Sequence, residues 1–242
     1  MCSRDSPSHS GAIAGDVQAG APRIVCLGRQ DRSDAGSRVL LESISIGSDG
    51  RFVVPEEEIG KEEFDRGSID WRGVLESTHW LLNTSSAVLD GDSSKWAWGA
   101  SMAFAELEGC RTVMIVDPAD GNGRTEEAWG SVIERIRQVH VLFFQSDAID
   151  EISLVEGVVA RNLLKEVRKR GLVPIVCSYD VSSGVVVVEH SLGSLEIEIE
   201  EEVSAERWLA EFLCALPNTG PGASGIEPAA RPDSRRPGLI GG

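Results

Sequence analysis

The sequence predicts a three-layer α/β domain with a mainly parallel central sheet, and three observations carry that prediction. Short apolar runs alternate with longer amphipathic ones from Trp71 onward. The starts of the apolar runs recur about every thirty residues, the length of a strand–helix–strand unit. The runs are also nearly continuous in Val, Ile, Leu and Phe rather than alternating, as expected of parallel strands covered on both faces.

Taken in order, "HWLLN" (79–83) is the first strand of the repeat and "SSKWAWGASMAFAELEG" (93–109) a helix closed by Gly109. "TVMIVD" (112–117) is a strand and "TEEAWGSVIERIRQ" (125–138) a helix. "VLFFQ" (141–145) follows as a strand, then "SLVEGVVARNLLKEVRKRG" (153–171), read as one helix with a Ser cap, a basic last turn and a terminal Gly. "VPIVCS" (173–178) is the fourth strand. Beyond it, "GVVVVEH" (184–190) and "SLEIEIE" (194–200) read as an antiparallel hairpin. "SAERWLAEFLCAL" (204–216) is a helix with Trp208, Leu209, Phe212, Leu213 and Leu216 on one face.

The flanks read differently. Residues 1–22 are rich in Ser, Gly and Ala without periodicity, and the tail from 217 to 242 is dense in Pro and Gly, so both are expected to be disordered. Residues 23–64 are expected to form a short β-rich portion, with strands at 23–27, 38–46 and 51–54 and an acid-rich connection after them. The α/β core then spans 65–216.

Composition narrows the function. Lys and Arg number 23 against 39 Asp and Glu, a net charge of −16, so nucleic acid and anionic membrane surfaces are not expected partners. No apolar run approaches the ~20 residues of a membrane helix, and the first residues lack the basic-then-apolar order of a secretory signal. The five cysteines are scattered, with no C-x-x-C pair, which suits reduced thiols and a cytoplasmic protein. Neither they nor the four histidines show zinc-ligand spacing, so no metal site is expected from them. Trp96, Trp98, Met102 and Phe104 lie on one predicted helix and are expected to make core. His79 and His140 start strands and are expected to be core or edge residues.

Ligands of an open α/β sheet collect at the carboxyl ends of its strands. Four such ends are legible: 84–86, Asp117 onward, 145–147 and 178–180. Asp117, Asn122 and Arg124 are the polar candidates in "VMIVDPADGNGRTEEAW" (113–129). The same stretch also reads as a loop that Asp117 caps while Pro118, Gly121 and Gly123 turn the chain. Both readings stand at this point.

The order of elements, together with "IDWRGVLESTHWLLNTSSAVLDG" (69–91), resembles the ribokinase-type carbohydrate kinases, and within them the 2-keto-3-deoxygluconate kinase-like branch. The resemblance spans residues 65–216. It implies ATP-dependent phosphoryl transfer to a sugar or sugar acid, with ATP and Mg2+ as cofactors. It also implies that Asp117, Asn122 and Arg124 fill an Asp-x-Asn-x-Arg substrate motif, widened here by three residues. Gln145 takes the place of an Asn near the phosphates, with Ala148 where a Glu would organise magnesium. Gly184 is what remains of a Thr-x-Gly turn near the nucleotide. A dimer through lid strands, here 38–64, is a further implication.

The resemblance is weakest at the start of the last helix. The family carries Gly-Ala-Gly-Asp there, whose backbone N–H groups form an anion hole and whose Asp is the base. Aligned on "FLCAL", Val203, Ser204, Ala205 and Glu206 hold those four places. Ser204 then falls in the nucleotide-phosphate position and Glu206 in the base position, on a longer arm. A misplacement of ~1 Å can cost ~100-fold, and losing one anion-hole donor costs ~3 kcal/mol. Impaired or lost catalysis is therefore expected. The alternatives are an active kinase with Glu206 as base, and a non-enzymatic binding or dimerising protein.

Overall fold

The computed structural model describes residues 20–28, 34–54, 67, 69–119, 124–200 and 202–231. One eight-stranded sheet organises them, in the order β2-β1-β3-β4-β5-β6-β7-β8. The strands are β1 (Arg23–Cys26), β2 (Asp49–Phe52), β3 (Trp80–Thr84), β4 (Arg111–Val116), β5 (Val139–Gln145), β6 (Ile175–Asp180), β7 (Val185–His190) and β8 (Gly193–Glu198). All pairings from β2 through β6 are parallel, and β6–β7 and β7–β8 are antiparallel.

Helices α2 (Trp71–Leu75), α3 (Asp92–Glu108), α4 (Arg124–Glu134), α5 (Ser146–Glu156) and α6 (Leu163–Gly171) lie against one face of the sheet. On the other face lie α1 (Ala35–Ser45), α7 (Ala205–Thr219) and α8 (Ala223–Ala230). Alternate strand residues feed the two cores: Leu81, Met114, Leu142 and Val176 go to the first, and Leu82, Val113, Phe143 and Cys177 to the second. The three-layer α/β prediction holds.

Several expectations are corrected. The stretch 38–46, read as a strand, lies in α1 almost to its end, with Asp34 as N-cap: its Oδ1 accepts from the Ser37 N–H at 2.7 Å. The described part of the 23–64 portion is no separate lid, because β1 and β2 extend the main sheet in parallel. The strand read at 51–54 is set back to 49–52. The single helix 153–171 is two, because Gly157 adopts φ +64° and ends α5. Likewise α4 stops at Glu134 and a 3-10 turn, Ile136–Gln138, follows.

A further correction concerns the tail. Residues 217–230 are ordered: α7 runs to Thr219, and α8 buries Ile226, Ala229 and Ala230 against the second core. Trp208, 1% exposed, stacks on Phe212 with centroids 5.1 Å apart and donates its indole N–H to the Ala230 carbonyl at 2.9 Å. Residues 1–19, 55–66 and 232–242 lie outside the described residues.

Pro217 sits inside α7 and has no N–H to offer the Leu213 carbonyl one turn back. Trp80 of β3 fills that vacancy, its indole N–H reaching Leu213 O at 2.9 Å in the buried core. The proline therefore costs the helix a bond that the sheet returns. The two histidines act similarly at strand starts. His79 Nδ1 accepts from the Arg23 N–H at 3.1 Å, and His140 Nδ1 from the Thr112 N–H at 3.2 Å. Both satisfy backbone donors of neighbouring strands. On α3, Trp98 and Met102 are buried and Phe104 packs against the first core, stacked on Trp71, whereas Trp96 is 63% exposed, so it is not core as expected.

Candidate active-site edge

The chain leaves β1, crosses by α1 to the edge strand β2, and returns to pair β3 on the other side of β1. The winding direction reverses there, and the carboxyl ends of β1 and β3 frame the crevice where such sheets bind ligands. The N-terminus of α1 enters that crevice. Gly28 and Gly36 let it close up: a Cβ on Gly28 would stand 2.4 Å from Ser37 Oγ, and one on Gly36 would stand 3.1 Å from a Thr84 methyl.

Asp34, the cap of α1, stands at this crevice, near enough to Asp117 and Asp90 for their charges to act on it. Burial raises its carboxyl above the ordinary range. Bonds from the Ser37 N–H and hydroxyl pull the other way, and the charges of Asp117 and Asp90 add to the rise. The sequence reading missed Asp34. The available signal was an Asp just before apolar residues at helical spacing: Ala35, Val39, Leu40 and Ser43 are buried.

Asp117 stands at the end of β4, 8% exposed, with its carboxylate fully engaged. Its Oδ1 accepts from Ser85 Oγ at 2.8 Å and the Ser86 N–H at 3.0 Å, and its Oδ2 accepts from Ser86 Oγ at 2.6 Å. It closes the turn after β3. Arg124, at the start of α4, is exposed and donates to the Leu89 carbonyl at 2.8 Å. Asp117 and Arg124 therefore both tie their strand end to the 85–89 turn. Asn122 lies outside the described residues.

The start of α7 carries the other candidates. Ser204 is its N-cap, and the Ser204 hydroxyl accepts from the Arg207 N–H at 3.1 Å. The carboxylate of Glu206 does not stand free. Its Oε1 accepts from Arg38 Nε at 2.9 Å and Gln145 Nε2 at 3.3 Å, and Arg38 Nη2 lies 2.8 Å away. The fold thus brings Glu206 of α7 and Gln145 of β5 together, with Arg38 of α1 between helices. One residue on, Arg207 reaches Ser45 Oγ at 2.9 Å, Glu42 at 3.3 Å and Glu211 at 2.5 Å, so α1 and α7 are clamped along their length. Arg38 and Arg207 were not singled out from the sequence, because their partners lie more than 160 residues away in the chain.

Gly184 closes the β6–β7 turn with φ +69°, a conformation that favours glycine, and its carbonyl accepts from the Ile199 N–H at 2.8 Å. It lies on the same carboxyl edge as Gln145. Between them, burial raises the Tyr179 hydroxyl above its ordinary value, with Glu202 adding to the rise and the Val203 backbone opposing it. The approach to α7 is therefore packed onto the end of β6.

One donor that a magnesium–triphosphate centre would use is already engaged here. A phosphate cradle needs open backbone donors at a helix N-terminus. Here Val203, Ser204 and Ala205 carry side chains, and the Arg207 donor is taken by Ser204. Asp147, at the start of α5, is exposed, and Ala148 beside it is buried. Among the described residues, no group of three or more His, Cys, Asp or Glu side chains could hold a metal ion. The cysteines 26, 110 and 177 are free thiols, and burial pushes Cys110 up to about 12. No helix of the described residues is long and apolar enough to cross a membrane.

Neither protein-family models nor curated proteins give a match to this sequence. Solved structures do. A 2-dehydro-3-deoxygluconokinase from Thermotoga maritima is similar with a TM-score of 0.64 at 15% identity, over 87% of this chain and 91% of its own. A fructokinase from Vibrio cholerae O395, in its fructose, ADP and potassium-bound form, is similar with a TM-score of 0.64 at 12% identity, over 87% and 89%. A fructokinase with bound ATP from Xylella fastidiosa gives 0.64 at 10%, over 88% of each chain. At such identities the likeness is one of fold: this chain has the ribokinase-like fold of the PfkB/ribokinase-family sugar kinases.

Proposed function

We propose that the chain is a carbohydrate-kinase homologue that binds a sugar or sugar acid at the carboxyl edge of its sheet but has lost efficient phosphoryl transfer. One observation carries this reading: two polar groups at the start of α7 are already engaged within the protein. Ser204 Oγ holds the Arg207 N–H, and Glu206 Oε1 is bound by Arg38 and Gln145. A general base needs an oxygen within hydrogen-bond reach of the hydroxyl it deprotonates. Phosphoryl transfer further needs donors aimed at the migrating group, because positioning and electrostatics supply nearly all of its catalysis. The ion pair and the serine cap oppose both requirements.

The test is an ATP-dependent assay on 2-keto-3-deoxygluconate, fructose and related sugars, with ADP release measured. The expected result is no turnover above background, and turnover of ~1 per second or faster would refute the proposal. A second reading, an active kinase with Glu206 as base, is favoured by the meeting of Glu206 with Gln145 at the strand end. That reading requires Glu206→Gln to abolish any activity found; an unchanged rate discards it.

A further inference from the structure

The face of the sheet that carries α2 to α6 is incompletely covered. Its last helix, α6, packs on β6 and β7. Beyond it, the residues of β8 on that face, Ser194, Glu196 and Glu198, are exposed. They pair across with Glu189, Val187 and Val185 of β7, which are only half-buried. Val187 packs at the margin of the core under α6, which fixes the side of the sheet on which this strip lies. A sheet face ordinarily needs a second layer, and among the described residues β8 and the outer side of β7 lack one.

Charge divides sharply across the step. The open strip is acidic, with Glu189, Glu196 and Glu198. The neighbouring ridge is basic: Lys165 and Lys169 are exposed one turn apart on α6, Arg161 is exposed in the 3-10 turn (Ala160–Asn162) just before it, and the charge of Arg168 is felt at His190 of β7. Arg161, Lys165, Arg168 and Lys169 make no salt bridge among the described residues, in a protein of net charge −16. Leu172, 63% exposed, ends the ridge with φ +53°, a conformation that a leucine seldom adopts.

We propose that this face is a self-complementary interface through which two copies of the chain dimerise. A basic ridge beside an acidic strip of similar length satisfies the condition for an isologous contact, in which each patch meets the other on the partner. A two-fold axis running between and parallel to the two strips sets α6 of each copy over β7 and β8 of the other. The partner's helix then supplies the missing layer over Val185 and Val187, while Lys165 and Lys169 meet Glu196 and Glu198. The interface adjoins the candidate active-site edge only where Val185 and Glu198 meet Gly184, and it does not depend on the proposed function.

Light scattering coupled to size-exclusion chromatography tests this with two charge-reversed variants, Lys165→Glu with Lys169→Glu, and Glu196→Lys with Glu198→Lys. All four positions are solvent-exposed, and circular dichroism checks that each variant keeps its fold. The wild type is expected to run as a dimer. Each variant alone is expected to be monomeric at the same concentration, and an equimolar mixture of the two is expected to restore a 1:1 dimer. Added salt should weaken the wild-type dimer, since the screening length falls from about 10 Å at 0.1 M to about 3 Å at 1 M. A monomeric wild type, variants that remain dimeric, or a mixture that stays monomeric would each overturn the proposal.

Discussion

Replacing Asp117 by alanine separates a structural role from a binding one. The carboxylate accepts three hydrogen bonds, from Ser85 Oγ, the Ser86 N–H and Ser86 Oγ, at 2.8, 3.0 and 2.6 Å. In the alanine variant the Ser85 hydroxyl can turn to the retained backbone carbonyl of residue 117, which already lies 3.3 Å away. The Ser86 N–H and hydroxyl have no such substitute, although Ser86 is only half-buried and water can reach it in part. At about 1 kcal/mol for a typical bond, and more for a bond to a charged group, the loss comes to about 3 kcal/mol. Asp117→Asn keeps the shape and one acceptor oxygen, so about half that loss is expected. Urea unfolding followed by tryptophan fluorescence measures both. A cost for Asp117→Ala below about 0.5 kcal/mol, the range of an ordinary surface change, would show that the carboxylate does not hold the turn after β3.

Three more perturbations probe the same frame. Trp80→Phe should cost about 1–3 kcal/mol, because it orphans the buried Leu213 carbonyl that Pro217 cannot serve; denaturation equal to wild type would contradict this. Ile226→Ala should cost about 3 kcal/mol, as a large-to-small change at a 1%-exposed site, whereas a disordered tail would leave the unfolding midpoint unmoved. Asp34→Asn should leave the cap intact, since Asn and Asp cap equally well. The raised Asp34 carboxyl means that the folded state holds this proton more tightly than the unfolded chain does. Its contribution is present below about pH 3.9, the ordinary Asp value, and is lost as pH rises through the raised one. The asparagine variant should therefore match wild type in acid and gain on it towards neutrality; a gap that opens in the opposite direction would contradict the assignment.

The sequence carried most of the sheet and little of the site's wiring. β3 to β6 were legible because parallel strands buried on both faces need uninterrupted apolar runs, as in "VLFFQ". The β7–β8 hairpin was legible from alternation. α1 was not: "ESISI" alternates like a strand, and the burial of Val39, Leu40 and Ser43 at helical spacing depends on docking against α7. α8 was hidden by its Pro and Gly content, although Ile226, Ala229 and Ala230 already had the i, i+3, i+4 spacing of a buried face. At the site, the residue types at 203–206 suggested a lost phosphate cradle. The partners that hold the Glu206 carboxylate are contributed by α1 and β5, and no local pattern reveals contacts between segments 61 and 168 residues apart.

The most direct measurement is of the backbone amides at the start of α7. In a uniformly 15N-labelled protein, titration with ATP and magnesium should leave the amide resonances of Ala205, Glu206 and Arg207 unshifted, because the serine cap holds the Arg207 N–H and Arg38 holds the Glu206 carboxylate beside it. Saturable shifts at those three amides, absent when phosphate-free adenosine replaces ATP, would show a working phosphate site and contradict the account.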